Sequence, residues 1–293
     1  MRIPTAILEQ KKISRIIFSI QASPLTVQKI SPLMKDIYEI GAWCFDLPSL
    51  KHVEAFKELK QLAEDKTLIG FRHLALECGV SFLGKPLGQF EPKVISTVFK
   101  NIVPPDLAKK IIPNRSSQEV FTQKEMDRII FDPIRFEKTI NLFEPEESPF
   151  LLVGGKYGDW LLGLGRIDLL EEMIRRVRKK GFIPIFSGQW ATFVLPKAKS
   201  LDVAACAIPI NKNASLFSLD QACHMIKKFE GPIISLNPLA GGSLLKNSED
   251  AFSFLFNELK ITAAMTEVSS EDEVQIIVEA LKNIPSLIPF RKT

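Results

Sequence analysis

Short, almost wholly apolar runs recur along the chain, and stretches with a helical period separate most of them. The runs are Ile16–Ile20, Trp43–Phe45, Thr67–Phe71, Phe150–Val153, Ile183–Phe186, Ala204–Ile208, Pro232–Leu236 and Ile261–Met265. Each has strand length, and their alternation with helical patterns predicts parallel β/α units.

The helical stretches carry their own start and stop signals. Asp168 followed by Glu171 predicts a capping box, with Leu170, Ile174 and Val177 forming an apolar stripe behind it. The stretch ends in Arg175, Arg176, Arg178, Lys179 and Lys180 before Gly181. Cations suit the negative end of a helix and glycine suits the position after it, so this cluster is read as a helix terminus rather than a binding patch. Ser270 and Glu273 predict a second capping box, ahead of Val274, Ile277, Val278 and Leu281.

Residues 75–125 break the rhythm. They hold Gly84-Lys85-Pro86-Leu87-Gly88 and Val103-Pro104-Pro105 and are too long for a simple connection. They are read as an insertion after the third strand, with short helices near Pro92–Ile102 and Pro105–Ile111, and with Phe82, Phe90 and Phe99 as its own core. In a β/α barrel such a segment lies over the active-site mouth.

At 293 residues the chain can bury a barrel-sized core as a single domain, 1–293. A net charge of +4, with basic residues interspersed among acidic ones, does not favour nucleic acid as a partner. No apolar run approaches the roughly 20 residues that span a bilayer, and the start lacks the apolar stretch of a signal peptide, so cytoplasm is the default. Cys44, Cys78, Cys206 and Cys223 are scattered, without a CxxC pair, which argues against a metal site or a disulfide framework; Cys206 reads as a buried core thiol. Near the C-terminus, Ile233 to Leu236 runs into Asn237-Pro238-Leu239-Ala240-Gly241-Gly242, a glycine turn that lets backbone approach a ligand closely.

Several strand-end motifs occur in a telling order. Ile3-Pro4-Thr5 through Ile16 leads by a hairpin into the first strand, and Gly41-Ala42-Trp43-Cys44-Phe45-Asp46 ends the second. Ile185-Phe186-Ser187-Gly188-Gln189 ends the fifth, Ile208-Pro209-Ile210-Asn211 the sixth and Asn237 to Gly242 the seventh, with Thr266 to Leu281 as the last strand and helix. In this order they resemble the aldo-keto reductase superfamily. The resemblance implies an α/β fold, a (β/α)8 TIM barrel with an N-terminal β-hairpin, and hydride transfer from NAD(P)H to an aldehyde or ketone by an Asp–Tyr–Lys–His tetrad.

Of that tetrad the resemblance finds only Asp46. Leu47 to His52 holds no tyrosine, Arg72 is the nearest equivalent of the lysine, and strand four ends Val153-Gly154-Gly155 with glycine in place of histidine. His73 follows Arg72 and so points away from the interior if the strand persists; if the chain has turned, it is a candidate acid or base. Lys156, Tyr157 and Asp159 are placed on the loop after strand four, within reach of the mouth, with Lys156 and Tyr157 as a candidate migrated pair. Ser187, Gln189, Asn211, Asn237, Leu239, Gly241, Gly242 and Ser269 are the candidate cofactor-binding positions. Glu267 and Ser269 stand where a glycine and a phosphate-binding arginine are common in the family. A carboxylate beside a phosphate is unfavourable by roughly 4 kcal/mol at about 4 Å and an effective dielectric of about 20.

Three functions follow: an altered or lost carbonyl reductase, a non-catalytic barrel that binds a small molecule or a protein partner, or barrel chemistry without nicotinamide that uses His73 or Lys156.

Overall fold

A computed structural model describes residues 3–63, 67–75, 79–102, 119–213 and 218–284. A hairpin of β1 (Thr5–Leu8) and β2 (Lys11–Ser14) precedes β3 (Ile16–Ile20), α1 (Val27–Glu39), β4 (Cys44–Asp46), α2 (Leu50–Ala63) and β5 (Ile69–Leu74). An excursion follows, with β6 (Val80–Phe82), β7 (Lys85–Pro86), α3 (Glu91–Ile102), α4 (Gln123–Met126), β8 (Ile129–Phe131) and α5 (Pro133–Ile140). The chain then runs through β9 (Phe150–Gly154), α6 (Lys156–Gly163), α7 (Ile167–Lys179), β10 (Ile183–Ser187), α8 (Ala191–Ala198) and β11 (Ala205–Pro209). It ends with α9 (Leu219–Lys228), β12 (Ile233–Leu236), α10 (Ser248–Ser253), β13 (Ala263–Val268) and α11 (Glu271–Lys282).

Strands β3, β4, β5, β9, β10, β11, β12 and β13 pair in that order and close into a parallel barrel. All eight apolar runs of the sequence supply a barrel strand. They are apolar throughout because both faces are covered, one by the barrel interior and the other by helices. Helix α1 shows the second layer, turning Ile30, Leu33, Met34 and Ile37 inward at helical spacing.

The interior is filled unevenly. Phe71 and Phe150, on adjacent strands, stack with ring centroids 4.7 Å apart and planes 6° from parallel. Ala205, Ala207 and Ala263 share the same interior cluster, so small side chains on other strands make room for the two rings. Leu8 and Ile13 of the hairpin join this cluster and plug the barrel's N-terminal end. The Ser14 amide donates to Cys44 Sγ at 3.2 Å there, and burial pushes the Cys44 thiol up to about 12. Cys206 is buried as expected, its thiol likewise pushed up to about 12 by burial.

Two local expectations need adjustment. Helix α7 starts at Ile167 after Arg166, so Asp168 lies inside the first turn rather than at the cap. Its carboxylate grips the Arg166 guanidinium at 2.9 and 2.7 Å and complements the helix dipole. Ser270 does cap α11, accepting from the Glu273 amide at 3.3 Å, but Glu273 reaches back to the amide and hydroxyl of Ser269 instead of Ser270. At the far end of α7, Gly181 takes the positive φ of 95° that ends the helix. The basic residues there pair with Glu172, Glu137, Glu9 and Asp202, as befits a helix terminus.

The excursion extends beyond residue 125, because β8 pairs antiparallel with β6. Phe82 packs edge-on against Phe90 and Phe121, each at 5.0 Å, and forms its core. Phe99 instead reaches across to Trp190 at 5.6 Å and ties α3 to the turn after β10. The expected helix at Pro105–Ile111 lies outside the described residues. No described helix is long and apolar enough to cross a membrane.

Truncating one of the stacked rings would leave a cavity that the strand framework cannot collapse. Phe150→Ala is expected to lower unfolding free energy by about 3–5 kcal/mol. Exposed Leu142→Ala should stay within about 0.5 kcal/mol of the parent. Urea unfolding of both variants, with unchanged slopes, checks this.

Candidate active site at the barrel mouth

Strand alternation builds the mouth. Ile17, Cys44, Phe71, Leu152, Ile185 and Met265 point into the barrel. The residues two positions on, Ser19, Asp46, His73, Gly154, Ser187 and Glu267, therefore form the inward layer at the C-terminal end. This is the end at which β/α barrels carry their sites.

Three of these residues are joined by hydrogen bonds. Ser19 Oγ donates to Asp46 Oδ2 at 2.7 Å, and His73 Nε2 lies 2.6 Å from Asp46 Oδ1. Asp46 is buried, whereas the His73 side chain keeps 39% of its surface open within the concave mouth. Burial pulls the imidazole pKa down, but the charge of Asp46 and its hydrogen bond raise it above the ordinary histidine value against a small opposing push from Arg72.

His73 and Arg72 exchange the places expected of them. Strand β5 persists through Leu74, and Phe71 faces inward, so His73 also faces inward and Arg72 faces the helix layer. The Arg72 guanidinium lies over the Phe143 ring, 4.5 Å from its centroid, and does not pair with Asp46. Burial lowers the Arg72 pKa, and the nearby Glu147 carboxylate partly restores it. His73 thus holds the inward place next to Asp46 that Arg72 was expected to hold.

Gly154 is more than a missing side chain. Its φ is +134°, and a Cβ there would stand 2.1 Å from the Ser187 carbonyl oxygen. The neighbouring amide of Gly155 donates to that same oxygen at 2.8 Å, which locks the ends of β9 and β10 together. Lys156 and Tyr157 are not on a loop. They open helix α6, with Gly155 as its N-cap, and turn toward the excursion, where Lys156 Nζ lies 3.3 Å from Glu91. They do not converge with Asp46 and His73.

A second carboxylate, Asp159, was expected on the loop after strand four and instead sits behind the mouth within α6. Asp159 of α6 is only 3% exposed; its Oδ2 accepts from the Gln189 amide at 2.7 Å, while Oδ1 is buried without a partner. Burial pushes this carboxyl up to about 7, against the lowering effect of the Gln189 hydrogen bond. Ser19 was missed, because β3 is buried on both faces and its sequence does not show which residues point inward.

The remaining candidate positions are largely engaged with one another. Asn211 Nδ2 donates to the Asn237 carbonyl at 3.2 Å, and its Oδ1 accepts from the Asn213 amide at 3.1 Å. Asn237 Oδ1 accepts from the Gly241 amide at 2.6 Å. The amide of Gly242 bonds the carbonyl of Leu239, that of Ser243 bonds Ala240, and that of Leu244 bonds Leu239, so the glycine turn closes on itself. Asn237, Ala240, Gly241 and Gly242 all adopt positive φ to do so. Leu239 is buried, and Ser187 is buried at the end of β10. Ser269 is bound to the Glu273 carboxylate, as described above. Among the described residues, no group of three or more His, Cys, Asp or Glu side chains could hold a metal ion.

No family model matches the chain, and no curated protein matches it. Solved structures do. The holo form of aldo-keto reductase AKR11C1 from Bacillus halodurans is similar over 97% of this chain and 92% of its own, with a TM-score of 0.60 and 12% identity. The thermostable aldo-keto reductase Tm1743, in complex with the inhibitor epalrestat, gives a TM-score of 0.54 at 9% identity over 95% of this chain and 94% of its own. PA4992, a putative aldo-keto reductase from Pseudomonas aeruginosa, gives 0.52 at 12% identity over 94% of this chain and 92% of its own. The chain has an aldo-keto-reductase-like fold.

The Asp159 carboxyl makes stability depend on pH. With a folded pKa raised to about 7, the native state keeps a proton that the unfolded chain releases. Stability from this group is fully present below about pH 4 and falls as pH rises to about 7, by on the order of 4 kcal/mol. Asp159→Asn should remove that slope. Urea unfolding of the parent and variant at several pH values reads the difference.

Proposed function

We propose that the mouth is an acid–base site in which His73, oriented by Asp46, exchanges a proton with a small polar molecule, and that nicotinamide-dependent carbonyl reduction has been lost. The observation that carries this reading is the 2.6 Å contact between His73 Nε2 and Asp46 Oδ1 in the inward layer of the mouth. A carboxylate accepting at Nε2 keeps the proton on that nitrogen in the neutral ring, which leaves the Nδ1 lone pair as the base. Among the described residues Nδ1 has no hydrogen-bond partner. Ser19 supports the arrangement by holding the second oxygen of Asp46.

Gly154, which carries no side chain, separates His73 from Ser187 in the register of the strands. Two strand spacings, about 10 Å, suit a small ligand with a hydrogen acidified by a neighbouring carbonyl. His73 would take the proton and return it, while the Ser187 hydroxyl orients the ligand oxygen. The Asp46 charge and hydrogen bond raise the imidazole pKa, which favours the conjugate acid that the returning step needs.

The family resemblance implies a nicotinamide dinucleotide, and the residues at its expected phosphate positions do not fit one. The amides of the glycine turn are already bonded, the start of α11 is capped by its own Glu273, and Glu267, Glu271 and Asp272 add carboxylates nearby. An inward glycine also stands where the resemblance implies the substrate-orienting histidine.

Calorimetric titration with NADH and NADPH is expected to give no saturable heat up to millimolar cofactor. Proton exchange into small ketones and hydroxyketones in deuterium oxide, followed by NMR, should be catalysed by the parent and fall by about 10²–10⁴ in His73→Gln. Micromolar NADPH binding with no such exchange would overturn the proposal. In Asp46→Asn the histidine should titrate lower than in the parent. A raised His73 pKa adds stability that is complete below the unfolded histidine value of about 6.5 and is lost as pH rises through the folded pKa. Asp46→Asn should therefore be most destabilising at acid pH, relative to the parent.

A further inference from the structure

Beside the mouth lies a second concavity of about 670 Å³, within the size range of small-molecule sites. It is bounded by the excursion, by α5 and by the first turn of α6. Because α6 directly follows β9, the cleft opens on the barrel's C-terminal side, but Asp46, His73 and Ser187 are absent from its lining.

Its charge is one-sided. Arg135, Lys138 and Lys156 line it against a single carboxylate, Glu91, which leaves +3 − 1 = +2. Asp132, outside the lining, contacts Arg135 Nε at 3.2 Å and reduces the local balance to +1. Arg135 Nη2 reaches only the Gly84 carbonyl, at 3.5 Å, and Nη1 has no partner. Lys138 has no carboxylate within ion-pair distance among the described residues. The Lys156–Glu91 pair, at 3.3 Å and about half exposed on both sides, is weak and open to competition.

The wall of the cleft is aromatic and fixed. Tyr157 Oη lies so close to Gly88 that a Cβ on the glycine would stand 2.3 Å from it. The Tyr157 ring packs on Trp160 with centroids 4.7 Å apart. Lys156 Nζ sits over both rings, 5.6 Å from Tyr157 and 5.2 Å from Trp160. A negative group drawn to Lys156 and Lys138 would therefore bring whatever it is attached to against the small part of Tyr157 that lines the cleft, the rest of the ring being buried.

We infer that this cleft binds a small organic anion, a phosphate or carboxylate carried on a compact aromatic body, with Lys138, Lys156 and Arg135 receiving the charge and Tyr157 the body. Cations grouped on a concave surface concentrate anions and make their binding sensitive to salt. Lys156 and Tyr157, which stand apart from the mouth, acquire a shared role in this way.

Phenyl phosphate, benzoate, benzyl alcohol and inorganic phosphate are the probes, read by amide shifts of Gly88 and Tyr157 and by tryptophan fluorescence. Phenyl phosphate or benzoate should shift these amides saturably, bind more weakly at high salt, and bind more tightly than both inorganic phosphate and benzyl alcohol. Lys138→Glu should weaken that binding about tenfold or more, the scale of one charge interaction in a partly exposed site. Arg135→Gln should weaken it as well, and Lys179→Glu, in the helix-end cluster, should leave it unchanged. Amide spectra of each variant establish that it folds. The inference is overturned by the absence of saturable shifts with both aromatic anions at millimolar concentration. It is equally overturned if benzyl alcohol binds as tightly as phenyl phosphate, if inorganic phosphate matches it, or if folded Lys138→Glu binds unchanged.

Discussion

Along a strand of a closed barrel a side chain has two destinations, the enclosed interior or the helix layer, and position in the strand decides between them. Everything at the mouth depends on that constraint. The stacking of Phe71 on Phe150 commits β5 to one phase, and this places His73 inside and Arg72 on Phe143 outside. Cys44 and Ile17 impose the same phase on β4 and β3, so Asp46 and Ser19 meet the histidine from the neighbouring strands. A slip of β5 by one residue would turn the Phe71 ring out of its stack and His73 away from Asp46.

Two carboxylates near the same end of the barrel meet burial in opposite ways. Asp46 is supported by a serine hydroxyl and an imidazole, one for each oxygen. Asp159 has one amide for one oxygen and nothing for the other, so burial favours its neutral form. The number of donors that reach a buried carboxyl separates an anion able to orient a base from a group that binds the α6 helix to the turn after β10. Charge around the mouth follows the same logic. Acidic groups gather at β13 and α11, while Arg135, Lys138 and Lys156 line the cleft beside α6.

The architecture was legible because strands covered on both faces have to be apolar throughout, and all eight such runs became barrel strands. The same property hid the site. A strand without alternating polarity does not reveal which of its residues face inward, so Arg72 was placed inside and His73 outside until the phase of Phe71 was known. Lys156 and Tyr157 were expected on a loop, yet Gly155 caps a helix and carries both into its first turn. Asp168 has the right residue type for a cap but stands two positions past it, since α7 begins at Ile167 after Arg166. The burial of Asp159 depends on how α6 leans on the turn after β10, and no local pattern records that. Asp46 was recovered because a strand-end motif carried it.

The conformation of Gly154 bears on the history open to this barrel. Its backbone lies where side chains are disfavoured, and the space a side chain would need is occupied by a carbonyl that Gly155 also uses. A substitution that placed a side chain at this position would have to be accompanied by rearrangement of both strand ends, and each intermediate would be less stable than either end point. Single substitutions at the end of β9 are thus closed as a source of new side chains at the mouth, and change in descendants of this chain is confined to the neighbouring strand ends.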